Sequence, residues 1–390
     1  MKKVWNELYL ANPAHIYMLV WSITLFLFLL GLTDNIQELK YQTFCLIIGN
    51  IISFYLVIFF LANGRPIRKI SLSKEDINLH TLRSFSKKLL LFWFFGSLID
   101  IYFSGGLPII WSLLGNTEKN YTDFGVPSFH GVVNACYLLG STCLFLEYLL
   151  TRNKKNLILI FILICWPILM LGRGILLSLL MQFLSIYLLL FTISLKKLLK
   201  LFGFGLAGIL FFGIAGDARG YNNPFSYLIT SSSGWIFNNL PSGFLWVYVY
   251  LTTGINNLNA NIDVISPTYL PIYSISNLVP SAIRNIYSED NRNDSLVFVD
   301  ESLNTSSFYA GYLSDFGSIG AFIVVIFLQL IWAYFFILSQ KKKVSAILTY
   351  AIVLQCVLFS IFYDLFLLLP YLFQIFIAQL YGKKLIKWRN

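Results

Sequence analysis

Four arginines are the residues of this 390-residue chain best suited to hold an anion: Arg173, Arg219, Arg284 and Arg292. A guanidinium binds phosphate oxygens bidentately and stays ionised in partly apolar surroundings. Arg173 sits in Leu171-Gly172-Arg173-Gly174, between two long apolar runs, and Arg219 in Gly216-Asp217-Ala218-Arg219-Gly220-Tyr221. Each has a plainer reading: Arg173 as a side chain snorkelling to lipid headgroups, Arg219 as a local pair with Asp217, Arg284 and Arg292 as solvated loop residues. His130 follows Tyr121-Thr-Asp123-Phe-Gly125-Val-Pro127-Ser-Phe129. It reads either as a base or ligand contact or as the capped start of a helix. Asp123 and Asp315 are carboxylates able to take a proton.

The elements that carry these residues follow from composition. Of all residues, 57% are hydrophobic and only 12% charged, and the mean hydropathy is +0.72. A soluble 44.7 kDa protein needs far more polar surface, which excludes a cytoplasmic enzyme, a disordered scaffold and a nucleic-acid-binding protein. The chain reads as an all-α integral membrane protein, a single membrane domain over 1–390. Spans of roughly 20 apolar residues are expected at 15–32, 43–62, 88–104, 130–150, 157–171, 174–194, 201–216, 315–338, 344–362 and 366–382.

Two of these boundaries need a physical reason. As one helix, 156–194 would be about 57 Å long, twice the bilayer core, so it must fold back at 171–174. The same reasoning puts a turn near Asp364, the lone charge between Val344 and Leu380. Arg173 then lies about 24 Å along its helix, at outer-leaflet depth. Met1-Lys2-Lys3 could open a signal peptide, but the apolar stretch is long and no small-residue cleavage site follows, so it is kept as a span.

Sidedness follows from the cations. With both termini cytoplasmic, 22 of the 28 lysines and arginines fall inside. The exceptions are Lys40, Lys119, Arg173, Arg219, Arg284 and Arg292. Two external loops result, 104–129 and the long 217–314. The nine-residue run 243–251 within the second is too short to span and reads as a re-entrant or interfacial helix. No Walker loop, dinucleotide fingerprint, HExxH or Cys/His cluster is present, so no cofactor and no metal are expected. The Asp-Phe-Gly triplets at Asp123 and Asp315 lack the nucleotide loop of a kinase. The five cysteines form no disulfide or metal pattern.

The order of these features resembles the Wzy-type oligosaccharide repeat unit polymerases of bacterial O-antigen and capsule assembly. The similar pieces are Ser104-Gly-Gly-Leu-Pro108, Tyr121-Thr-Asp-Phe-Gly-Val-Pro127 with His130-Gly131, Gly172-Arg173-Gly174, and Arg219-Gly220. They continue with Tyr250-Leu-Thr-Thr-Gly254-Ile-Asn256-Asn, then Asn304-Thr-Ser-Ser-Phe308 and Asp315-Phe-Gly317-Ser-Ile-Gly320. The resemblance covers roughly residues 85–340 and implies ten to twelve spans and a fold similar to that of the O-antigen ligases.

It also implies a glycosyltransferase in the bacterial cytoplasmic (inner) membrane whose site faces the periplasm or exterior. Its donor and acceptor would be undecaprenyl-diphosphate-linked oligosaccharides. A chain-length regulator and a flippase would be its neighbours, and the mechanism would be metal-independent inversion. On that reading Arg173 and Arg219 hold the diphosphate with Arg284 or Arg292 as a third contact, and Asp123, His130 or Asp315 serves the acceptor hydroxyl. Tyr221, Tyr250 and Asn256 suit sugar stacking and hydrogen bonding. Two other readings stand beside it. One is a ligase using the same donor. The other is a lipid-linked oligosaccharide flippase or transporter, which predicts charges near the bilayer midplane and repeated halves.

Overall fold

The computed structural model describes residues 7–8, 10–64, 70, 72–115, 119, 121–220, 225–231, 233–280, 283 and 296–386. It is all-helical. In chain order the helices are α1 (Pro13–Leu29), α2 (Tyr41–Leu61), α3 (Leu79–Ser104), α4 (Pro108–Leu113), α5 (Phe129–Thr151), α6 (Lys154–Leu169) and α7 (Arg173–Leu190). They continue as α8 (Leu195–Gly220), α9 (Gly234–Phe237), α10 (Ser242–Asn261), α11 (Ile272–Ile275), α12 (Tyr309–Ser339), α13 (Val344–Phe359) and α14 (Leu369–Ile386). A two-residue antiparallel pairing joins Glu7–Leu8 to Ile193–Ser194.

Every one of the ten apolar segments expected from the sequence is a helix. Among the described residues, α2, the α3–α4 stretch, α5, α7 and α12 are long and apolar enough to cross a membrane, and α1, α13 and α14 are shorter apolar helices. Large apolar side chains cover the outer faces, among them Phe26, Phe60, Phe95, Phe161 and Phe327, each at least 60% exposed. A surface of that kind needs lipid. The chain is a helical membrane protein.

Local signals start and stop several helices, although α3, α8 and α12 begin nine, six and six residues before the expected spans. Asn12 caps α1 through the Ala14 N–H, with Pro13 at the first helical position, and Asn78 caps α3 through the Thr81 N–H. Gly105, left-handed, ends α3. The α6–α7 hairpin closes at the predicted site, although Leu171 rather than a glycine adopts positive φ there.

Packing sorts the connections into two ends. At one end Arg83 makes a forked ion pair to the buried Glu147, Lys342 reaches Asp76, and Tyr350 donates to the Ala11 carbonyl. At the other end the 30–40 connection, α10, 297–308 and the 360–368 turn bind one another. The two predicted sets of loops lie at opposite ends. Between them a fully buried amide cluster ties four helices: Thr142 donates to Gln182, whose amide donates to Gln355 and Gln374 at 2.8 and 3.0 Å. Interhelical amide bonds of this type glue helices where hydrophobicity alone cannot.

Helix α10 runs ten residues beyond the expected 243–251. Its second half, rich in Thr and Asn, is buried because its amides tie down two loops. Asn256 and Asn259, one turn apart, hold the backbone of 35–40. Asn257 and Asn261 hold the 297–305 backbone on the neighbouring face. Each amide both donates and accepts, so the backbone groups of two irregular segments are satisfied without a sheet.

Candidate functional site

Two adjoining cavities open at the α10 end of the bundle. The first, of about 480 Å³, is mostly apolar and lies between α7, α8 and α10; Leu177, Ile209, Val247 and Leu251 line it, together with Arg173 and Tyr250. Arg173 is there because α7 begins with it, directly after the hairpin turn. The second cavity, of about 520 Å³, is the more polar of the two: Asn304, Thr305, Ser306, Ser307, Tyr312 and Asp364 line it beside the apolar Phe308, Phe362 and Leu368. The two share Thr305, Phe362 and Tyr363 as a wall.

Three elements build the polar cavity. The 303–305 backbone is fixed by Asn257, which donates to the Leu303 and Thr305 carbonyls at 2.7 Å. The 360–368 turn is fixed from two sides. The Phe308 N–H donates to the Ser360 carbonyl, and α10 presses against Ile361 at Gly254, where a Cβ would stand 2.0 Å from the carbonyl oxygen. The first turns of α12 form the third wall. Gly317 (φ 69°) breaks α12 there, and the Ser314 and Asp315 carbonyls released by the break accept from the Thr268 and Tyr269 N–H groups.

Asp364 stands inside this construction. Its Oδ1 accepts from the N–H groups of Phe366 (2.9 Å) and Leu367 (3.3 Å), and its Oδ2 accepts the Tyr312 hydroxyl. Burial raises its carboxyl above the usual range, and these hydrogen bonds pull it partly back.

The sequence-predicted residues separate in space. Arg173 and Tyr250 line the apolar cavity together. Asp315 is buried and occupied: its carboxylate accepts the Tyr273 and Ser274 N–H groups, each at 2.8 Å, and the Ser274 hydroxyl. Asn256 is likewise engaged, with the 35–37 backbone. His130 lines neither cavity. Its Nδ1 lies 2.8 Å from Asp100 Oδ2 and its Nε2 2.8 Å from Asn134 Nδ2. Asp100 Oδ1 also accepts the Val126 N–H, so the pair clamps the 104–129 loop to α3. Asp123 is exposed on a single 3₁₀ turn of that loop. Arg219 falls in the last turn of α8, with its side chain outside the described residues, as are Tyr221, Arg284 and Arg292.

In the sequence Asp364 marks only a turn between two spans. Its partner Tyr312 is 52 positions away, so no local spacing could flag the pair. No family model, curated protein or solved structure matches the chain.

Proposed function

We propose that this protein is a membrane glycosyltransferase that extends polyprenyl-diphosphate-linked oligosaccharides into a polysaccharide of the O-antigen or capsule type. One observation carries the reading: a mostly apolar cleft bearing an arginine shares a wall with a more polar cavity whose lining includes several hydroxyl and amide side chains and a carboxylate. That sequence of environments fits a lipid chain, a diphosphate and a glycan in order. An arginine beside an apolar cleft counters the charge that develops on a departing diphosphate without a metal or ATP. On this reading the ten helices span the membrane with both termini cytoplasmic, and the α10 end faces outward. The pair of unequal cavities at one end, and ionisable residues gathered there rather than at mid-depth, favour transfer over transport.

The test is chain length. Cells carrying Arg173→Ala in a stably inserted protein should accumulate single lipid-linked repeat units, with elongation reduced about 100-fold or more. Long chains of normal abundance in that variant would remove the arginine from the mechanism. Accumulation of finished polymer on the lipid carrier when the gene is deleted would instead indicate a ligase.

A further inference from the structure

We infer that the polar cavity binds the acceptor saccharide and that Asp364 is the general base for its attacking hydroxyl; this rests on the glycosyl-transfer reading above. Two independent features of the cavity point to a hydroxyl-bearing ligand. Ser307, only 4% exposed, belongs to its lining, and its buried hydroxyl has no hydrogen-bond partner among the described residues. A buried polar atom left so costs stability unless something fills the place. Asp364 supplies the second feature. Among the described contacts its Oδ2 receives only the Tyr312 hydroxyl, which leaves a lone pair for a sugar O–H.

Comparison with the three other aspartates described above agrees. Asp315 accepts three hydrogen bonds that build α11 onto α12, and Asp100 accepts two that hold the 104–129 loop. Asp123 is exposed and lines neither cavity. Of these four only Asp364 lines either of the two cavities, and Tyr363, the residue before it, belongs to the wall shared with the Arg173 cleft.

The step balances without a co-reactant. Asp364 Oδ2 takes the proton of the acceptor hydroxyl as that oxygen bonds to the anomeric carbon of the donor. The bond from that carbon to the diphosphate oxygen breaks, and its electron pair leaves on the diphosphate, whose charge Arg173 meets. A single displacement of this kind inverts the anomeric carbon.

The experiment uses the full chain in lipid nanodiscs and, as substrate, the lipid-linked glycan pool extracted from cells deleted for its gene. Elongation is read as a glycan ladder, and donor-site occupancy as thermal stabilisation by undecaprenyl diphosphate. Asp364→Asn should retain the stabilisation yet elongate at least about 100-fold more slowly. Formate should restore part of the rate to Asp364→Ala, because a small carboxylate can enter the vacated space. Ser307→Val should raise KM about fivefold with kcat nearly unchanged. Elongation by Asp364→Asn within threefold of wild type, or an unaltered KM in Ser307→Val, overturns the assignment. Should Asp364→Asn fail to fold, formate rescue of Asp364→Ala and the Ser307→Val split decide. Wild-type protein that leaves the pool unextended overturns the glycosyl-transfer reading itself, whereas failure confined to the Asp364 and Ser307 variants overturns only the base and its cavity.

Discussion

Asp100 and Asp364 are both acidic residues set into the same end of the bundle, and their surroundings differ in one respect. Asp100 is 1% exposed and both its oxygens serve neighbouring chain, one taking the Val126 N–H and the other the His130 ring. Asp364 also anchors backbone with one oxygen, but among the described contacts its other oxygen takes only the Tyr312 hydroxyl, and both residues line a cavity. A carboxylate spent on its own fold positions a loop. A carboxylate with a lone pair left over toward a cavity can accept a proton from something that enters.

That contrast can be broken by substitution. The largest stability effect is expected from Asp100→Ala, which strands the Val126 N–H and the His130 ring nitrogen; thermal unfolding in detergent should show a loss of about 3 kcal/mol. Elongation at permissive temperature should survive, and its abolition in a folded Asp100→Ala protein would move the chemistry to His130. A smaller effect, about 2 kcal/mol, is expected for Asn257→Ala, which releases three backbone partners at 299, 303 and 305. Because that backbone forms the cavity wall, KM should rise more than kcat falls; unchanged kinetics would separate the wall from substrate binding.

The smallest effect belongs to the ion pair of Lys40 and Asp263. The Lys40 ammonium holds the Asp263 carboxyl below its usual range. Its contribution is therefore present above the unfolded-state value near 3.9 and is lost as pH falls through the lower folded-state value. Both side chains are partly exposed, so Asp263→Asn should cost no more than about 1 kcal/mol at neutral pH and nothing in 1 M salt. A larger, salt-insensitive loss would mean that the 30–40 connection depends on this pair rather than on Asn256 and Asn259.

The helices were legible because apolar runs of bilayer length, basic turns and the 171–174 breaker are local signals. Arg173 was legible for the same reason, as a charge in the middle of a hydrophobic hairpin. The carboxylates were not. Asp315 looked like a candidate base because it is a carboxylate in the Asp-Phe-Gly stretch that carries the resemblance. The structure uses that glycine to break α12 and the aspartate to collect the N–H groups of α11. Asn256 looked like a sugar contact because an amide suits hydrogen bonding to hydroxyls, but here four asparagines of one helix stitch loops to it. Which acid faces a cavity depends on contacts between α12 and the 360–368 turn, and sequence spacing carries no trace of them.

The contact of Gly254 with the Ile361 carbonyl has a consequence for how this gene can vary. With only 2.0 Å between that oxygen and the place a methyl group would take, even alanine at 254 must displace the turn that bears Asp364. A saturation library selected for polymer on the cell surface should return glycine at codon 254 and little else. The lipid-facing Phe60 and Phe161 should accept almost any greasy replacement, so the tolerance profile would mark the packed joint behind the cavity more sharply than the cavity's own lining.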